Sequence, residues 1–484
     1  MAKAAARKRE RAKPSGPRRR LRDQRAVIRL EDSTETFIRG SGWLTSSADR
    51  GAEARAEAFV RMNADLLKCF DVKADVAVSG REVGIRMKPA TRIGALPLKS
   101  PLTGRPNLGL VIEPRFHWKA FGEVLDAVGM KVAPQPLALP DLPTSSRQIP
   151  VWVFSAIVLR RMRALLDATI RRFELREVDL ASPRGAVRWD EYARRRLPSA
   201  RWTSVPCRAP ELTADRDLLS AIHYTVRQHQ MALLPLRGAS RVTRTLLAEA
   251  ELLLARLAPY PALRPLPTTL SAMQTRPFDE VVRRAVREGL QAIEWTSEER
   301  GLGGLSDLAG LPFHLDMERF FEAWAATVAG RLAKMVGGSI LEQSPIHLRW
   351  DPPWAGSSRR LIPNVVVRAG DTVLVIDSKY KRYGEEILAQ RWASMPNEQR
   401  ERHLADIHQV LAYAGVFEAK RVVACLLYPC SVERFARLER DGAVVRRARV
   451  ATFPRHLEFA VAALPMSGEV EGAARGLKSM IAAA

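Results

Sequence analysis

The sequence lacks any long uncharged apolar stretch, since no run approaches the roughly 18–20 residues that a membrane-spanning helix needs. Its basic N-terminus is not followed by an apolar core, which excludes the pattern of a secretory signal. Cysteine is scarce, with four residues in 484, and none has the spacing of a zinc-ligand cluster. We therefore expect a cytoplasmic protein with free thiols, no membrane association and no cysteine-based metal site.

Acidic residues are also scarce relative to basic ones. The chain has 53 Asp and Glu against 77 Lys and Arg, which gives a formal net charge of +24. Hydrophobic residues make up 46% and charged residues 27%, an ordinary globular composition that excludes wholesale disorder. Strong positive charge on a globular chain favours a polyanionic partner, either nucleic acid or an anionic membrane surface.

Part of the excess charge lies in residues 1–25, which hold eleven basic and two acidic residues and so carry +9. This segment predicts a disordered basic tail that binds polyanions without reading a base sequence. The rest of the chain carries the remaining +15. We expect the globular body itself to be basic.

Composition divides the body into three regions and a C-terminal tail. Residues 26–150 mix short strands with helices and end in a proline-rich linker, which predicts a mixed α/β N-terminal domain. Residues 151–310 carry long helical patterns and predict a mainly helical middle domain. Residues 311–465 predict the element order α-β-β-β-α-β, with a first strand at Ile346–Trp350, and residues 466–484 form a tail. The predicted fold class is multidomain, α/β and α+β.

Segment 362–383 is the most informative part of the chain. Two β-branched runs bracket Gly370–Asp371, which suits a two-residue type II′ hairpin. In that register Asn364 lies opposite Asp377. Asp377 and Lys379 share a face because they are two residues apart on one strand. The hairpin is therefore expected to gather an amide, a carboxylate and an ammonium group.

Residues on two helices can add to this site. Glu322 lies at the margin of an apolar helix stripe, and Asp406, Gln409 and Tyr413 share one face of a later helix, where they can contact DNA or support a metal. Carboxylates hold Mg²⁺ together with phosphate, and a neighbouring lysine can orient or deprotonate water and stabilise phosphorane charge. Asp-x-Lys alone is common, so a plain surface hairpin is the competing interpretation. The complete ordered set favours a nuclease-type site.

These motifs resemble the PD-(D/E)XK nuclease superfamily and, within it, the McrC family, the nuclease subunits of McrBC-type 5-methylcytosine restriction systems. The resemblance is carried by four segments: Met317–Trp324, Ile362–Asn364, Val375–Tyr383 and Asp406–Ala414. A softer similarity reaches upstream through Pro183–Ala193. The C-terminal region is thus expected to have a PD-(D/E)XK (restriction-endonuclease-like) core.

The resemblance implies a Mg²⁺- or Mn²⁺-dependent DNA endonuclease of a prokaryotic restriction and antiviral defence system. It implies Asp377 as a metal ligand, Lys379 as the catalytic lysine and Glu322 as the helix acid near the metal. It further implies Gln409 and Tyr413 as a supporting Gln-x-x-x-Tyr pair. A separately encoded AAA+ GTPase or ATPase motor is also implied, and this chain has no G-x-x-x-x-G-K-[ST] loop of its own.

One position departs from the family pattern, because Asn364 stands where the family has Asp, at the third metal-binding position. An amide offers a neutral oxygen but no charge, so Mg²⁺ binding and hydrolysis should weaken. Three explanations are open: a substitution engineered to trap a DNA complex, a degenerate nuclease that only binds DNA and assembles complexes, or compensation by an acid such as Asp351. An RNA-directed protein ranks last, since no aromatic RNA-binding platform is present.

Overall fold

The computed structural model describes residues 27–40, 51–80, 82–129, 132, 134–137, 150–168, 172–213, 215–274, 280–297, 312–348, 351, 360–389, 391–451 and 456–481. The predicted basic tail and most of the proline-rich linker lie outside the described residues. Within these ranges, every helix falls short of the length and apolar character required to cross a membrane. Helices and several separate sheets alternate along the chain, which confirms the predicted mixed α/β multidomain class.

The N-terminal region builds two sheets with helices beside them. Its elements are β1 Val27–Glu31, β2 Thr36–Arg39, α1 Ala52–Met62, α2 Ala64–Cys69, β3 Val72–Ser79, β4 Glu82–Pro89, β5 Arg92–Leu98, β6 Leu108–Glu113, α3 His117–Ala127 and β7 Gln135–Pro136. The smaller sheet has the order β2-β4-β3. In the larger, β1 pairs in parallel with β6, and the order continues through β5.

A strand from beyond the middle region completes the larger sheet. Strand β11, Phe313–Asp316, inserts between β5 and β7, so the order is β1-β6-β5-β11-β7. A Cβ atom at Gly94 would lie only 2.0 Å from the carbonyl oxygen of Phe313, so only glycine allows this close approach. The predicted C-terminal domain begins at residue 311, just before β11. Strand β11 belongs to the N-terminal sheet, and helix α10 follows it immediately at Met317.

The middle region packs long helices around a central one. Its elements are α4 Val151–Ala168, β8 Arg172–Leu180, β9 Ala186–Val187, α5 Trp189–Glu191, a π-helical turn Tyr192–Arg196, β10 Val205–Thr213, α6 Arg216–Leu233, α7 Arg241–Leu257, α8 Pro267–Gln274 and α9 Glu280–Ser297. Helix α4 packs against α6, α7 and α9. The three-stranded sheet β8-β10-β9 was not expected in a mainly helical region.

The C-terminal region is a six-stranded sheet with helices packed on it. Its elements are α10 Met317–Met335, β12 Ser339–Glu342, β13 Ile346–His347, β14 Arg360–Leu361, β15 Val365–Ala369, β16 Thr372–Ser378, α11 Gly384–Leu388, α12 Asn397–Gly415, β17 Arg421–Cys430, α13 Val432–Arg440, β18 Val445–Arg449, β19 His456–Pro465 and α14 Val470–Leu477. The sheet order is β12-β15-β16-β17-β19-β18. Strands β16, β17 and β19 are parallel.

The predicted first strand of this sheet was wrong. The strand that pairs with β15 is β12, whereas Ile346–His347 pairs with Arg360–Leu361 in a separate two-stranded sheet. Strand β12 is an edge strand with three of its four residues exposed. It therefore lacks the apolar alternation that marks a half-buried strand in a sequence.

The predicted hairpin register is confirmed. Ala369 pairs with Thr372 and Val365 with Ile376, so the next step outward brings Asn364 towards Asp377. Gly370 has φ +55°, and Asp371 has no positive φ, which is the pattern of a type II′ turn. The turn therefore sets which residues meet at the far end of the hairpin.

Candidate active site

Asp377 and Lys379 lie where the central strand β16 ends. Asp377 is 3% exposed, in a strand that pairs with β17 at this position and against which helices α10 and α12 pack. The backbone N–H of Lys379 donates to the Leu427 carbonyl at 2.9 Å, which extends the pairing with β17. Lys379 Nζ lies 3.0 Å from Asp377 Oδ2. The two side chains therefore occupy one face, as strand parity predicts.

Burial and ion pairing act in opposite directions on the pKa values of Asp377 and Lys379. Burial raises the pKa of Asp377, and the Lys379 ammonium opposes that rise. Burial lowers the pKa of Lys379, but the carboxylates of Asp377 and Asp406 outweigh it, so the net shift of that pKa is upward. Lys379 is therefore a cation held between two carboxylates. Apart from this ion pair, Asp377 Oδ2 has no hydrogen-bond donor among the described residues.

Glu322 enters the site from helix α10. The helix begins at Asp316, whose carboxylate caps it by accepting from the N–H groups of Glu318 and Arg319. Its apolar stripe is fully buried, which leaves Glu322 at the margin as predicted. Glu322 Oε1 accepts from Asn364 Nδ2 at 3.1 Å, and Oε2 accepts from Gln343 Nε2 at 3.3 Å. Each carboxylate oxygen thus has an amide donor.

Neighbouring groups also set the acidity of Glu322. Burial raises its pKa, and the hydrogen bond from Asn364 opposes that rise. Nearby carboxylates, among them Asp377, raise the pKa of Glu322 further. Asn364 connects the two acids through the chain, since it donates to Glu322 and accepts from the backbone N–H of Ser378, the residue after Asp377.

The direction of the Asn364 amide is set by the backbone. Its Oδ1 accepts from the backbone N–H of Ser378 at 2.9 Å and from Ser378 Oγ at 3.3 Å. A backbone N–H can only donate, so the amide oxygen must face Ser378 and the amide nitrogen must face Glu322. An aspartate in the same position would place a second carboxylate about 3 Å from that of Glu322, which is stable only with a cation or proton between them.

The helix α12 supplies the remaining predicted residues. Lys379 Nζ donates to Gln409 Oε1 at 2.7 Å, and Gln409 Nε2 donates to Tyr413 Oη at 2.7 Å. Asp406 Oδ1 lies 3.5 Å from Lys379 Nζ. The Gln-x-x-x-Tyr pair is therefore connected to the lysine by direct contacts. The structure joins all six predicted residues into two adjoining clusters, Glu322–Asn364 and Asp377–Lys379–Gln409–Tyr413.

Two further residues contact the site, and the sequence did not predict either of them as a site residue. Gln343 follows the edge strand β12, has φ +42° and bonds Glu322 through its side chain. Tyr383 Oη donates to Asp406 Oδ2 at 2.7 Å. An exposed glutamine in a loop carries no sequence signal, whereas Tyr383 closes the motif that carries the resemblance. Asp351, the proposed compensating acid, is exposed and has no contact with these residues within the described ranges.

The carboxylates that lie nearest Asn364 are those of Asp377 and Glu322, whereas Asp406 is engaged by Lys379 and Tyr383. Among the residues that the structure describes, no group of three or more His, Cys, Asp and Glu side chains has the arrangement of a metal site. Asn364 contributes an amide oxygen but no negative charge to this group of side chains.

No protein-family model and no curated protein matches this sequence. Among solved structures, the chain is similar to one in the refined half-complex from the tetradecameric assembly of Thermococcus gammatolerans McrB AAA+ hexamers with bound McrC. The identity is 15% and the TM-score 0.44, over 94% of this chain and 99% of that chain. It is also similar to a chain of the Thermococcus gammatolerans McrBC complex, at 16% identity and TM-score 0.27, over 63% of this chain and 88% of that chain. At such low scores, function must be inferred from the side chains of the site.

Proposed function

We propose that this chain is the PD-(D/E)XK nuclease-fold subunit of a McrBC-like restriction and antiviral defence system, acting on DNA phosphodiesters with an AAA+ motor partner. The observation that carries the proposal is the meeting of the helix acid, the hairpin pair, the lysine and the Gln-x-x-x-Tyr pair. These groups come from three separate stretches of the chain: helix α10, the β15–β16 hairpin with its flanking residues, and helix α12. Their mutual contacts support an assembled site over a surface hairpin with ordinary charges.

The donor set suits a divalent cation, although with one negative charge fewer than the family pattern. Asp377 Oδ2 is buried and has no hydrogen-bond donor among the described residues other than the Lys379 ammonium, and Glu322 offers a second carboxylate nearby. Mg²⁺ is bound in proteins through one or two carboxylates completed by phosphate and water. When bound, Mg²⁺ or Mn²⁺ would polarise a phosphate oxygen and acidify a water molecule.

Lys379 serves this reaction as a fixed cation. Its pKa is raised, so the side chain donates hydrogen bonds and does not accept a proton. An ammonium group held by Asp377 and Gln409 is placed to donate to a phosphate oxygen as negative charge develops there. Tyr413 in turn holds Gln409, so the lysine needs little reorganisation during the reaction.

The charge of the chain supports DNA as the polyanion. A net charge of +24 gives long-range attraction to a phosphate backbone. The side chains of the site suit phosphodiester hydrolysis, and binding to an anionic membrane requires no such groups. Nucleic acid is therefore the partner that fits both the charge and the site.

The Asn364–Glu322 hydrogen bond favours a second function, that of a DNA-binding and assembly subunit with impaired hydrolysis. The amide satisfies Glu322 without a metal, and its oxygen is engaged by Ser378. Losing one anionic ligand should weaken Mg²⁺ binding and slow cleavage.

A cleavage assay on plasmid DNA with Mg²⁺ separates these functions. The full chain, Asn364→Asp and the surface control Asn397→Asp are compared with and without an AAA+ partner purified from the same gene neighbourhood. Faster cleavage by Asn364→Asp, by about tenfold or more, supports the endonuclease site. If the original chain and Asn364→Asp both bind DNA but neither cleaves it, the assembly function is supported. If neither of them binds DNA, both functions are contradicted.

A further inference from the structure

The four residues after Lys379, residues 380–383, connect the site to the rest of the protein. We call them the strap. Each strap side chain contacts a different partner: Tyr380 Oη donates to Asp32 Oδ2 at 2.6 Å, Lys381 Nζ lies 3.5 Å from Glu318 Oε1, Arg382 contacts Thr34 and lies 3.7 Å from Glu31, and Tyr383 bonds Asp406. Three of these partners, Glu31, Asp32 and Thr34, lie at the end of β1 and in the turn after it, in the N-terminal region.

The contact between Tyr380 and Asp32 is the buried one. Tyr380 is 1% exposed and Asp32 is fully buried. The other oxygen of Asp32 accepts from the backbone N–H of Arg115 at 3.0 Å, and the Arg115 guanidinium lies 4.2 Å from the Tyr380 ring centroid. Arg115 follows β6, the strand that pairs with β1. The hydroxyl of Tyr380 thus reaches the end of two neighbouring strands of the N-terminal sheet.

Aromatic packing locks the Tyr380 ring between the two regions. Its centroid lies 6.3 Å from that of Phe116 and 6.1 Å from that of Phe321. Phe116 belongs to the N-terminal region, and Phe321 precedes Glu322 on α10. Tyr380 therefore follows Lys379 in the chain and packs against Phe321, the residue before Glu322.

The exposed strap contacts are weak by comparison. The ion pairs of Lys381 and Arg382 join side chains that are 37% to 52% exposed, and such pairs hold a geometry poorly in water. A buried hydroxyl bonded to a buried carboxylate has no solvent alternative, so Tyr380 must follow Asp32. Because Tyr380 is joined directly to Lys379 through a planar peptide, a displacement of one moves the other.

We propose that Tyr380 and Asp32 are positioning residues through which the N-terminal sheet sets the place of Lys379 in the site, an inference that rests on the proposed nuclease function. A change at the β1–β6 edge is thereby transmitted to the lysine, while Asp377 stays in the central strand. The distance between Lys379 and the substrate phosphate becomes dependent on the N-terminal region.

Tyr380→Phe tests the link, because it removes the hydroxyl and keeps the ring. Backbone hydrogen exchange of residues 379–383 is measured in the full chain, and kcat and KM for plasmid cleavage are measured in the Asn364→Asp background. We expect exchange to quicken about fivefold to tenfold. We expect kcat to fall about tenfold or more with KM unchanged, because a misplaced cation weakens the transition state and not DNA binding.

Ser155→Ala is the matched control, since it removes a buried hydroxyl bonded to His229 in the middle region. It should leave both the local exchange and kcat unchanged. The proposal is overturned if hydrogen exchange is unchanged in Tyr380→Phe, or if Ser155→Ala changes exchange and kcat equally. It is also overturned if Tyr380→Phe quickens exchange but leaves kcat unchanged. If the Asn364→Asp variant cleaves no DNA, the proposed nuclease function is contradicted. The exchange measurement then still decides whether Tyr380 holds the segment that contains Lys379.

Discussion

Asn364 donates its amide N–H to Glu322, with Nδ2 3.1 Å from Oε1. The Ser378 backbone N–H prevents the amide from turning the other way. A neutral amide therefore satisfies the Glu322 carboxylate at the position where the sequence resemblance led us to expect another acid. The hydrogen bonding of the site is therefore complete at Glu322 without a bound metal.

The first prediction concerns this pair. Asn364→Asp removes one hydrogen bond and places two carboxylates together, so without metal the free energy of unfolding should fall by about 1–3 kcal/mol. Adding Mg²⁺ should restore more stability to this variant than to the original chain, because the cation binds the folded state. Urea unfolding in EDTA and in Mg²⁺ measures both effects. Asn397→Asp is the exposed control, and an equal response to Mg²⁺ in all three chains would contradict the prediction.

The second prediction concerns the lysine. In the Asn364→Asp background, Lys379→Ala should reduce the initial rate of plasmid cleavage by about a hundredfold or more, since it removes the cation facing the phosphate. Lys420→Ala is a control in the same hairpin region, where Lys420 pairs with Asp371 and is 82% exposed. That control should cleave normally. Equal rates for the two alanine variants, with circular dichroism showing both folded, would rule out a catalytic role for Lys379.

The third prediction concerns DNA affinity and salt. Fluorescence anisotropy with a DNA duplex should show the logarithm of the association constant falling by about 0.9 per contacted phosphate for each tenfold rise in salt. Deleting residues 1–25 should make the slope shallower without abolishing it, because +15 of the +24 net charge remains. An affinity that does not change between low and high salt would argue against a phosphate-backbone partner.

The fourth prediction concerns a buried histidine in the middle region. His229 is 1% exposed, between Ser155 Oγ at 3.0 Å and Thr296 Oγ1 at 3.1 Å. Burial lowers its pKa to about 3, whereas the unfolded chain binds the proton near pH 6.5. The stability from this neutral histidine is therefore present above pH 6.5 and is lost as the pH falls towards 3.

The matching experiment compares the chain with His229→Gln by urea unfolding at pH 7, 5.5 and 4. The stability advantage of the histidine should shrink by at most about 1.4 kcal/mol per pH unit below 6.5. A difference that stays constant over this range would show that His229 does not titrate on unfolding as proposed.

Local patterns predicted the parts of the fold that depend on neighbouring residues. Strand β16 and the register of its hairpin follow from two β-branched runs around Gly370, and both agree with the structure. The edge strand β12 and the inserted strand β11 were missed. Their partners lie in distant segments, and no periodicity within them reports that pairing.

The same division holds for the site. Residue identity predicted Asp377, Lys379 and Gln409, and spacing placed the first two on one face. Gln343 could not be found in this way, because its role depends on where α10 passes the end of β12. This contact spans 21 residues and depends on how the chain reverses between α10 and β12, which no local periodicity reports.

The sequence by itself determined the chemistry offered at the hairpin, namely one carboxylate, one ammonium and an amide in place of an acid, because turn type and strand parity are local properties. Only the tertiary structure decided that the amide points its nitrogen at Glu322 and that Tyr380 is held by Asp32. Both depend on long-range packing, in which a buried donor or acceptor must take whichever partner the fold brings within reach. The burial of Tyr380 and Asp32 strengthens their hydrogen bond, and burial is a property of the assembled fold.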